Sequence, residues 1–447
     1  MPRTDLSNIE LNPEFLQALR VMQDTDRHVF VTGRAGTGKS TLLQYFRANT
    51  IKNIAVLAPT GVAAVNIKGQ TVHSFFGFRP NITAERAKRI RPRDKDIYKN
   101  LEAVVIDEIS MVRADLLDCV DIFLRRFGPT RSRPFGGVQM IFIGDLYQLP
   151  PVVTSKEKAL FTEVYESPYF FDSRVFRQSF WTEQGSLVSR SMEFVELQKV
   201  YRHKDDEGFL SLLNVIRDNT AEFEHIKKIN QQLDPGFVEA ADDLYIHLTT
   251  TNALADGINQ AKLEDLKGEP SLYKGTVKGD FEARALPTLP ELLLKQGAQV
   301  MLLNNDSHGR WINGSVGRIL GFESVADSPD VIKIALHNGG LVDVEPFKWE
   351  MFEFKYDSDE KTIITESTGS FTQYPVKLAW AVTIHKSQGM TFDRVILDIG
   401  RGTFSHGQLY VALSRCTTLK GIVLRKPISK RNILMDKRVV DFTESFR

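Results

Sequence analysis

Residues 33–40 read GRAGTGKS, a complete G-x-x-x-x-G-K-[ST] run. It follows a short apolar stretch (HVFVT, residues 28–32) and opens a helical pattern that runs from Lys39 to about Ala48. Strand, glycine-rich turn and helix in this order form the context in which such a run folds around phosphate. Glycine lets backbone N–H groups close on phosphate oxygens, and the helix start adds a favourable partial charge of about half a unit. The backbone of Gly33, Ala35, Gly36, Thr37 and Gly38 is therefore expected to cradle a nucleoside triphosphate, with Thr41 in the first helical turn. Lys39 is expected on the β- and γ-phosphates and Ser40 on Mg²⁺.

A fold that presents this loop needs a parallel sheet, and the chain supplies its strands. Residues 54–57, 103–106 (AVVI) and 138–143 (VQMIFI) are apolar without alternation, as strands buried on both faces are. Helical patterns at residues 12–22 and 62–67 and between the strands predict a doubly wound α/β domain ending near residue 180. A second α/β unit is expected from residue 181, with helices at 206–219, 221–233 and 253–266 and a strand at 244–248. Residues 295–375 turn to β texture. There IKIALH (332–337) and LVDV (341–344) flank Asn338-Gly339-Gly340, a hairpin signal. The α/β pattern returns at 376. The polar stretch 79–100 carries Arg86, Lys88, Arg89, Arg91, Arg93 and Lys95, and reads either as a solvated loop or as a DNA-facing insertion.

Composition excludes several classes. At 42% hydrophobic and 25% charged residues the chain is of the soluble globular kind. A net charge of +1 rules out a global positive field, so any nucleic-acid contact must be local. Two cysteines, Cys119 and Cys416, make neither a disulfide framework nor a zinc motif and suit a reducing compartment. No apolar run is long enough to span a membrane, and the N-terminal sequence lacks a signal-peptide core, so a cytoplasmic protein of bacterial or phage origin is expected.

The acids that would complete the site are Asp107 and Glu108, at the end of VVIDE. At a strand's carboxyl end Asp107 would hold Mg²⁺ and Glu108 would orient and deprotonate the attacking water. A solvated acidic pair is the usual alternative. Gln148 follows Gly144-Asp145 at the end of the next strand and could sense the γ-phosphate. Two arginines of the second unit, Arg202 and Arg415, are candidates for stabilising charge on the transferring phosphoryl group.

The order of motifs resembles that of superfamily-one helicases, most closely the Pif (petite integration frequency) family. The resemblance covers residues 28–425. It is carried by GRAGTGKS, APTGVAA (58–64), GQTVHSFF (69–76), VVIDEISMV, GDLYQLPPV (144–152), VYRH, AWAVTIHKSQGMTF (379–392) and QLYVALSR (408–415). ADLLD (114–118) and RPFGG (133–137) are similar to the segment that separates this family from relatives such as RecD and Dda. One departure is LNPEF, which puts Phe15 where the family has an adenine-reading glutamine; Gln17 lies two residues on.

The resemblance implies two RecA-like P-loop domains, 1–180 and 181–294 with 376–447, a wedge insertion near 79–100, and an SH3-like β domain at 295–375. It implies an ATP- and Mg²⁺-dependent DNA helicase, working as a monomer 5′-to-3′ on single-stranded DNA and on forked or tailed duplex. G-quadruplex and RNA–DNA hybrids are further implied substrates, in repair, recombination and telomere maintenance. Arg202 and Arg415 become γ-phosphate arginines reaching across the cleft between the domains, and Gln388 and Gly389 approach the nucleotide. Thr60, Gly61, Thr71, His73, Thr383 and His385 become contacts to the strand. Phe75 could stack on a base or fill a core. The rival readings are a RecD- or Dda-like helicase and a DNA-stimulated clamp that displaces bound proteins without separating strands.

Overall fold

The computed structural model describes residues 11–154, 156–180, 192–201, 206–240, 243–324, 328–399 and 405–446. The chain divides into two units. The first is residues 1–201, 350–369 and 436–447, and the second is residues 202–349 and 370–435.

The first unit is built on six parallel strands: β1 (His28–Gly33), β2 (Ile54–Ala58), β3 (Gln70–Thr71), β4 (Ala103–Ile106), β5 (Gln139–Ile143) and β6 (Met192–Leu197), in the order β3-β2-β4-β5-β1-β6. Successive residues of the central strands serve opposite faces. Val29, Val31, Val105, Ile141 and Ile143 pack with Phe15, Leu19, Leu42 and Phe46 of helices α1 (Pro13–Asp24) and α2 (Lys39–Asn49). Phe30, Val104, Ile106, Met140 and Phe142 pack on the other face. Both faces are covered, so the strands read as unbroken apolar runs. Helix α1 starts where Pro13 fixes the first turn and the Asn12 side chain accepts from Phe15 N at 2.8 Å. Phe15 itself is buried, edge-on to Tyr45, so this position is a core residue.

Three boundaries differ from expectation. Strand β6 pairs with β1 from His28↔Met192 to Gly33↔Leu197, so the first unit extends to Tyr201 instead of closing near 180. Its MEFVEL sequence carries two glutamates because β6 is the edge strand of the sheet. The last helix, Lys437–Glu444, also belongs to the first unit, where Val439 and Phe442 enter the aromatic core. So do residues 350–369, the far end of the two long strands Phe347–Asp357 and Thr362–Gln373. Phe354 N donates to Gln70 Oε1 at 3.1 Å and Ile363 N to Asn53 Oδ1 at 2.9 Å.

The polar stretch after β3 folds into short helices. After α3 (Gly61–Asn66) and α4 (Val72–Phe76) come α5 (Ala84–Ala87) and α6 (Asp96–Lys99), and then, beyond β4, the long α7 (Ala114–Phe127). Ala87, Ile97 and Tyr98 are buried against Phe75, Phe76 and Phe123, while the charged residues face out.

The second unit holds four short parallel strands, ordered Ala381–Thr383, β7 (Ile246–Thr249), Val395–Leu397 and Ile422–Leu424. It also holds an antiparallel sheet, ordered Leu341–Val344, Val331–Leu336, Val316–Glu323, Gln299–Leu302 and Val376–Leu378. The hairpin expected at Asn338-Gly339-Gly340 forms, with Ile334 opposite Val342. Trp311, Ile319, Ile334, Val344 and Tyr374 fill the core of this β-rich block.

Candidate active site

In the first unit the carboxyl ends of the strands share one edge, and nearly every residue singled out in this half of the sequence lies on it. β1 ends in the glycine loop. A Cβ on Gly33 would sit 2.5 Å from Thr37 Oγ1 and 2.7 Å from Leu197 O, so only glycine fits. Gly38, at φ +89°, caps α2 in a left-handed conformation that L side chains rarely adopt. The Thr37 hydroxyl donates to Arg34 O at 2.9 Å and is buried. Lys39 Nζ folds over the loop and donates to Gly33 O (2.7 Å) and Arg34 O (3.0 Å). Ser40 is exposed in the first turn of α2, with Thr41 beside it half-buried.

Two strands away, β4 delivers Asp107 and Glu108. Asp107 N donates to Leu57 O at 2.9 Å, and its own Oδ1 accepts from Glu108 N at 3.0 Å. Burial pushes the Asp107 carboxyl up, opposed by that amide and by the positive charge of Lys39. Glu108 has φ +50°, a strained setting for a non-glycine residue of the kind found at functional sites. Between them β5 is followed by Gly144 and Asp145, whose carboxylate accepts from Tyr147 N (3.1 Å) and from Gln148 Nε2 (3.4 Å). Gln148 is thus held in place between the glycine loop and the acids.

Farther along the same edge, Thr60 follows β2 and caps α3, its hydroxyl accepting from Ala63 N at 3.3 Å. Gly61 is the first residue of that helix. Thr71 ends β3 and caps α4, accepting from Ser74 N at 3.0 Å, and His73 lies half-buried in that helix. β2 and β1 are three strand spacings apart, about 14 Å. Phe75 requires a correction. It is 5% exposed, edge-on to Phe76, Tyr98 and Phe354, and the Tyr98 hydroxyl donates to its carbonyl. It fills the core and offers no face to a base.

Within the second unit, Thr383 ends its strand and turns the chain: its Oγ1 accepts from Lys386 N (3.2 Å) and its carbonyl from Ser387 N (3.0 Å). Thr383 is buried, His385 and Gln388 are half-buried, and Gly389 is exposed. Burial lowers the His385 pKa, favouring the neutral ring. Arg415 is 1% exposed, donating from Nε to Val411 O (2.9 Å), from Nη1 to Ser387 O (3.2 Å) and Met390 O (2.9 Å), and from Nη2 to Ser414 Oγ (2.9 Å). The guanidinium bridges the helix Gln408–Leu413 and the turn that carries Gln388 and Gly389. Arg202 lies outside the described residues.

Two residues went unremarked in the sequence. Tyr201 donates its N–H to Gly36 O at 2.9 Å, and its ring comes within 3.7 Å of where a Gly38 side chain would start. The segment leaving β6 therefore lies against the phosphate loop. Thr251 follows β7 and caps the helix Asn252–Asp265, accepting from Leu254 N at 3.4 Å. It stands beside Thr383 as Thr60 stands beside Thr71. Its signal was a threonine directly before a helical run.

Residues 13–223 match the PIF1-like helicase family and residues 378–423 the UvrD-like helicase C-terminal domain. The ATP-dependent DNA helicase Pif1 of Bdellovibrio bacteriovorus is 32% identical over 98% of this chain and 92% of its own length. The chain belongs to the Pif1-like helicase family. The crystal structure of Bacteroides sp Pif1 in complex with ADP-AlF4 has the same fold, with a TM-score of 0.86, 35% identity, and coverage of 98% of this chain and 97% of that one. The same Bacteroides Pif1 with ADP-AlF3 and single-stranded DNA matches at a TM-score of 0.66, again with 35% identity, over 98% of each chain. Membership of the Pif1-like family removes the RecD- or Dda-like reading. Among the described residues no helix is long and apolar enough to cross a membrane.

The residues present fit a magnesium–nucleotide complex. Ser40 and Asp107 give one hydroxyl and one carboxylate. Among the described residues no group of three or more His, Cys, Asp or Glu could hold an ion alone. Mg²⁺ is ordinarily held by one or two protein oxygens, with phosphates and water filling its octahedron.

Proposed function

We propose that this chain is an ATP-driven motor that moves 5′-to-3′ along single-stranded DNA and unwinds duplex in its path. The observation that carries this reading is the shared edge of the first sheet. The groups suited to a triphosphate follow β1, β4 and β5, and the groups suited to a sugar-phosphate strand follow β2 and β3. One rigid sheet thus joins a fuel site to a track.

At the fuel site the amides of Gly33, Ala35, Gly36, Thr37 and Gly38 surround the phosphates and Lys39 moves from loop carbonyls to phosphate oxygens. Glu108 takes the proton of the attacking water, which Gln148 orients. Ser40 and Asp107 would hold Mg²⁺, which would neutralise charge on the phosphates. Arg202 and Arg415 are the candidates for the arginine that meets developing charge. Arg415 serves that role only by giving up its bonds to Ser387 O and Met390 O.

On the track, hydroxyl caps and helix-start amides at Thr60, Gly61 and Thr71, with His73, hold phosphates without reading bases. Thr251, Thr383 and His385 do so in the second unit. Movement requires that ATP favour one arrangement of the protein over another, since a ligand shifts an equilibrium only by its differential affinity. Buried, unpaired Cys119 and Cys416 suit the reducing interior of a cell.

The test is ATP turnover with and without single-stranded oligonucleotide, followed by unwinding of duplexes bearing either a 5′ or a 3′ tail. We expect strong stimulation and unwinding only with the 5′ tail. Turnover indifferent to DNA would sink the motor, stimulation without strand separation would favour the clamp, and a 3′-tail preference would reverse the polarity.

A further inference from the structure

Gln148 is held from two directions. The first is the turn that it closes. Gln148 N donates to Asp145 O (3.0 Å), Gln148 Nε2 to Asp145 Oδ2 (3.4 Å) and Tyr147 N to Asp145 Oδ1 (3.1 Å). The second runs through Tyr147, its neighbour in the chain, whose hydroxyl lies 3.0 Å from Thr443 Oγ1 in the last helix, Lys437–Glu444. Thr443 decides the roles in that bond. Its own hydroxyl proton serves its helix, where Val439 O and Val440 O both lie at 3.0 Å, so Tyr147 donates and Thr443 accepts. Asp145 and Gln148 are buried and Tyr147 is half-buried. In so tight a turn, a change in the direction of Tyr147 carries Gln148 with it.

The far end of the bond is firm. Phe442 stacks on Phe171, with ring centroids 4.2 Å apart, and Phe446 on Phe194 at 5.0 Å. Asp436 caps the helix by accepting from Arg438 N at 3.1 Å, and the Arg438 guanidinium pairs with the same carboxylate and donates to Glu166 O. Thr443 is buried. None of these contacts uses the Tyr147 hydroxyl, so the helix steadies the loop and does not depend on it.

The same helix closes the chain's return from the second unit, which ends at Met435. Just before that point Leu434 O accepts from Gly407 N at 3.0 Å, and Gly407 caps the helix Gln408–Leu413. A segment bonded at Leu434 to the start of one helix is thus bonded at Thr443 to the loop that holds Gln148.

We propose that Tyr147 is a positioning residue for ATP hydrolysis: its hydrogen bond to Thr443 sets the direction in which the Asp145 turn presents Gln148. This rests on the reading of Gln148 given above. The last helix then belongs to the support of the fuel site, although it lies at the other end of the sequence.

The test is single-strand-stimulated ATP turnover by Tyr147→Phe, Thr443→Val and Thr443→Ser, with Tyr147→Phe also made in a Gln148→Ala background. Tyr147→Phe removes the donor and keeps the ring. Thr443→Val removes the acceptor at nearly constant shape, and Thr443→Ser retains it. Tyr147→Phe and Thr443→Val should each lower kcat about three- to tenfold, the weight of one neutral hydrogen bond, with KM for ATP within about twofold of wild type. The two together should be no slower than either alone, since both break one bond. Thr443→Ser should keep kcat near wild type. In the Gln148→Ala background Tyr147→Phe should cost nothing further. Nucleotide-free affinity for the single strand should match wild type in Tyr147→Phe and Thr443→Val, which reports a folded sheet edge. A wild-type kcat in Tyr147→Phe beside a slow Gln148→Ala would overturn the positioning role alone. So would a raised KM in place of the lost kcat, or an undiminished loss in the Gln148→Ala background. A wild-type rate in Gln148→Ala would overturn the reading of Gln148 itself, and the positioning role with it.

Discussion

Replacing Arg415 separates a structural bracket from a catalytic finger. Among the described residues its guanidinium makes four hydrogen bonds inside the second unit, three of them to carbonyls of Val411, Ser387 and Met390. Bonds to a charged group are worth about 1.5–3 kcal/mol each in net terms, but the values do not add, and single substitutions beyond about 5 kcal/mol are exceptional. Arg415→Ala should therefore cost about 4 kcal/mol, because it removes the fork and strands buried carbonyls. For a unit of this size each kcal/mol lowers the Tm by roughly 2–4 °C, so calorimetry should show a fall of about 8–16 °C. Arg415→Lys keeps one charge but cannot reach four acceptors, and should recover only part of the loss. A Tm within about 2 °C of wild type for Arg415→Ala, with ATP turnover abolished, would refute the bracket and restore the finger.

Lys39→Ala should abolish ATP turnover while leaving single-strand affinity in the absence of nucleotide near wild type; retained turnover would remove the phosphate role. Lys377→Met should stabilise the protein at neutral pH, because burial and the nearby charge of Lys386 lower the Lys377 pKa from 10.5 to about 8. Below pH 8 both folded and unfolded chains carry this proton and the folded one is penalised by up to about 3 kcal/mol. As pH rises from 8 towards 10.5 the folded chain sheds the proton first, so the advantage of the variant should shrink. A difference that stays flat or grows over that range, by denaturant titration, would contradict the assignment.

Much of the first sheet was legible because its central strands are covered on both faces, which writes itself as unbroken apolar sequence in β1, β2, β4 and β5. β6 was not, because an edge strand with Glu193 and Glu196 carries a weaker pattern. The final helix was illegible for another reason. Phe442 packs against Phe170 and Phe171, contacts spanning most of the chain that local pattern cannot reveal. The site divides similarly. The placement of the glycine loop, Asp107, Glu108 and Gln148 on one edge of the sheet was readable because each follows a strand. Phe75 was misjudged because sequence gives residue type without saying whether its surface is already used. Tyr201 went unnoticed because its contact with Gly36 depends on β6 lying beside β1.

The shared edge also suggests how consumption of nucleotide reaches the track. Asp107 N donates to Leu57 O at 2.9 Å, and Leu57 stands three residues before Thr60. β4 and β2 are in register over four residue pairs, from Ile54↔Ala103 to Leu57↔Ile106, and β2 carries β3 through Leu57↔Gln70 and Ala58↔Thr71. A displacement of Asp107, the acid proposed to hold Mg²⁺, therefore has to move β2 with it or break a ladder bond worth about 1 kcal/mol. Packed sheets of this density resist internal slip, so the strands move together, and Thr60 and Thr71 move as a pair. In the proposed reading their grip is by hydroxyl caps and helix-start amides that ignore base identity, so the displaced pair would re-engage any phosphate it meets. Sequence-independent tracking follows from the same local chemistry that starts α3 and α4.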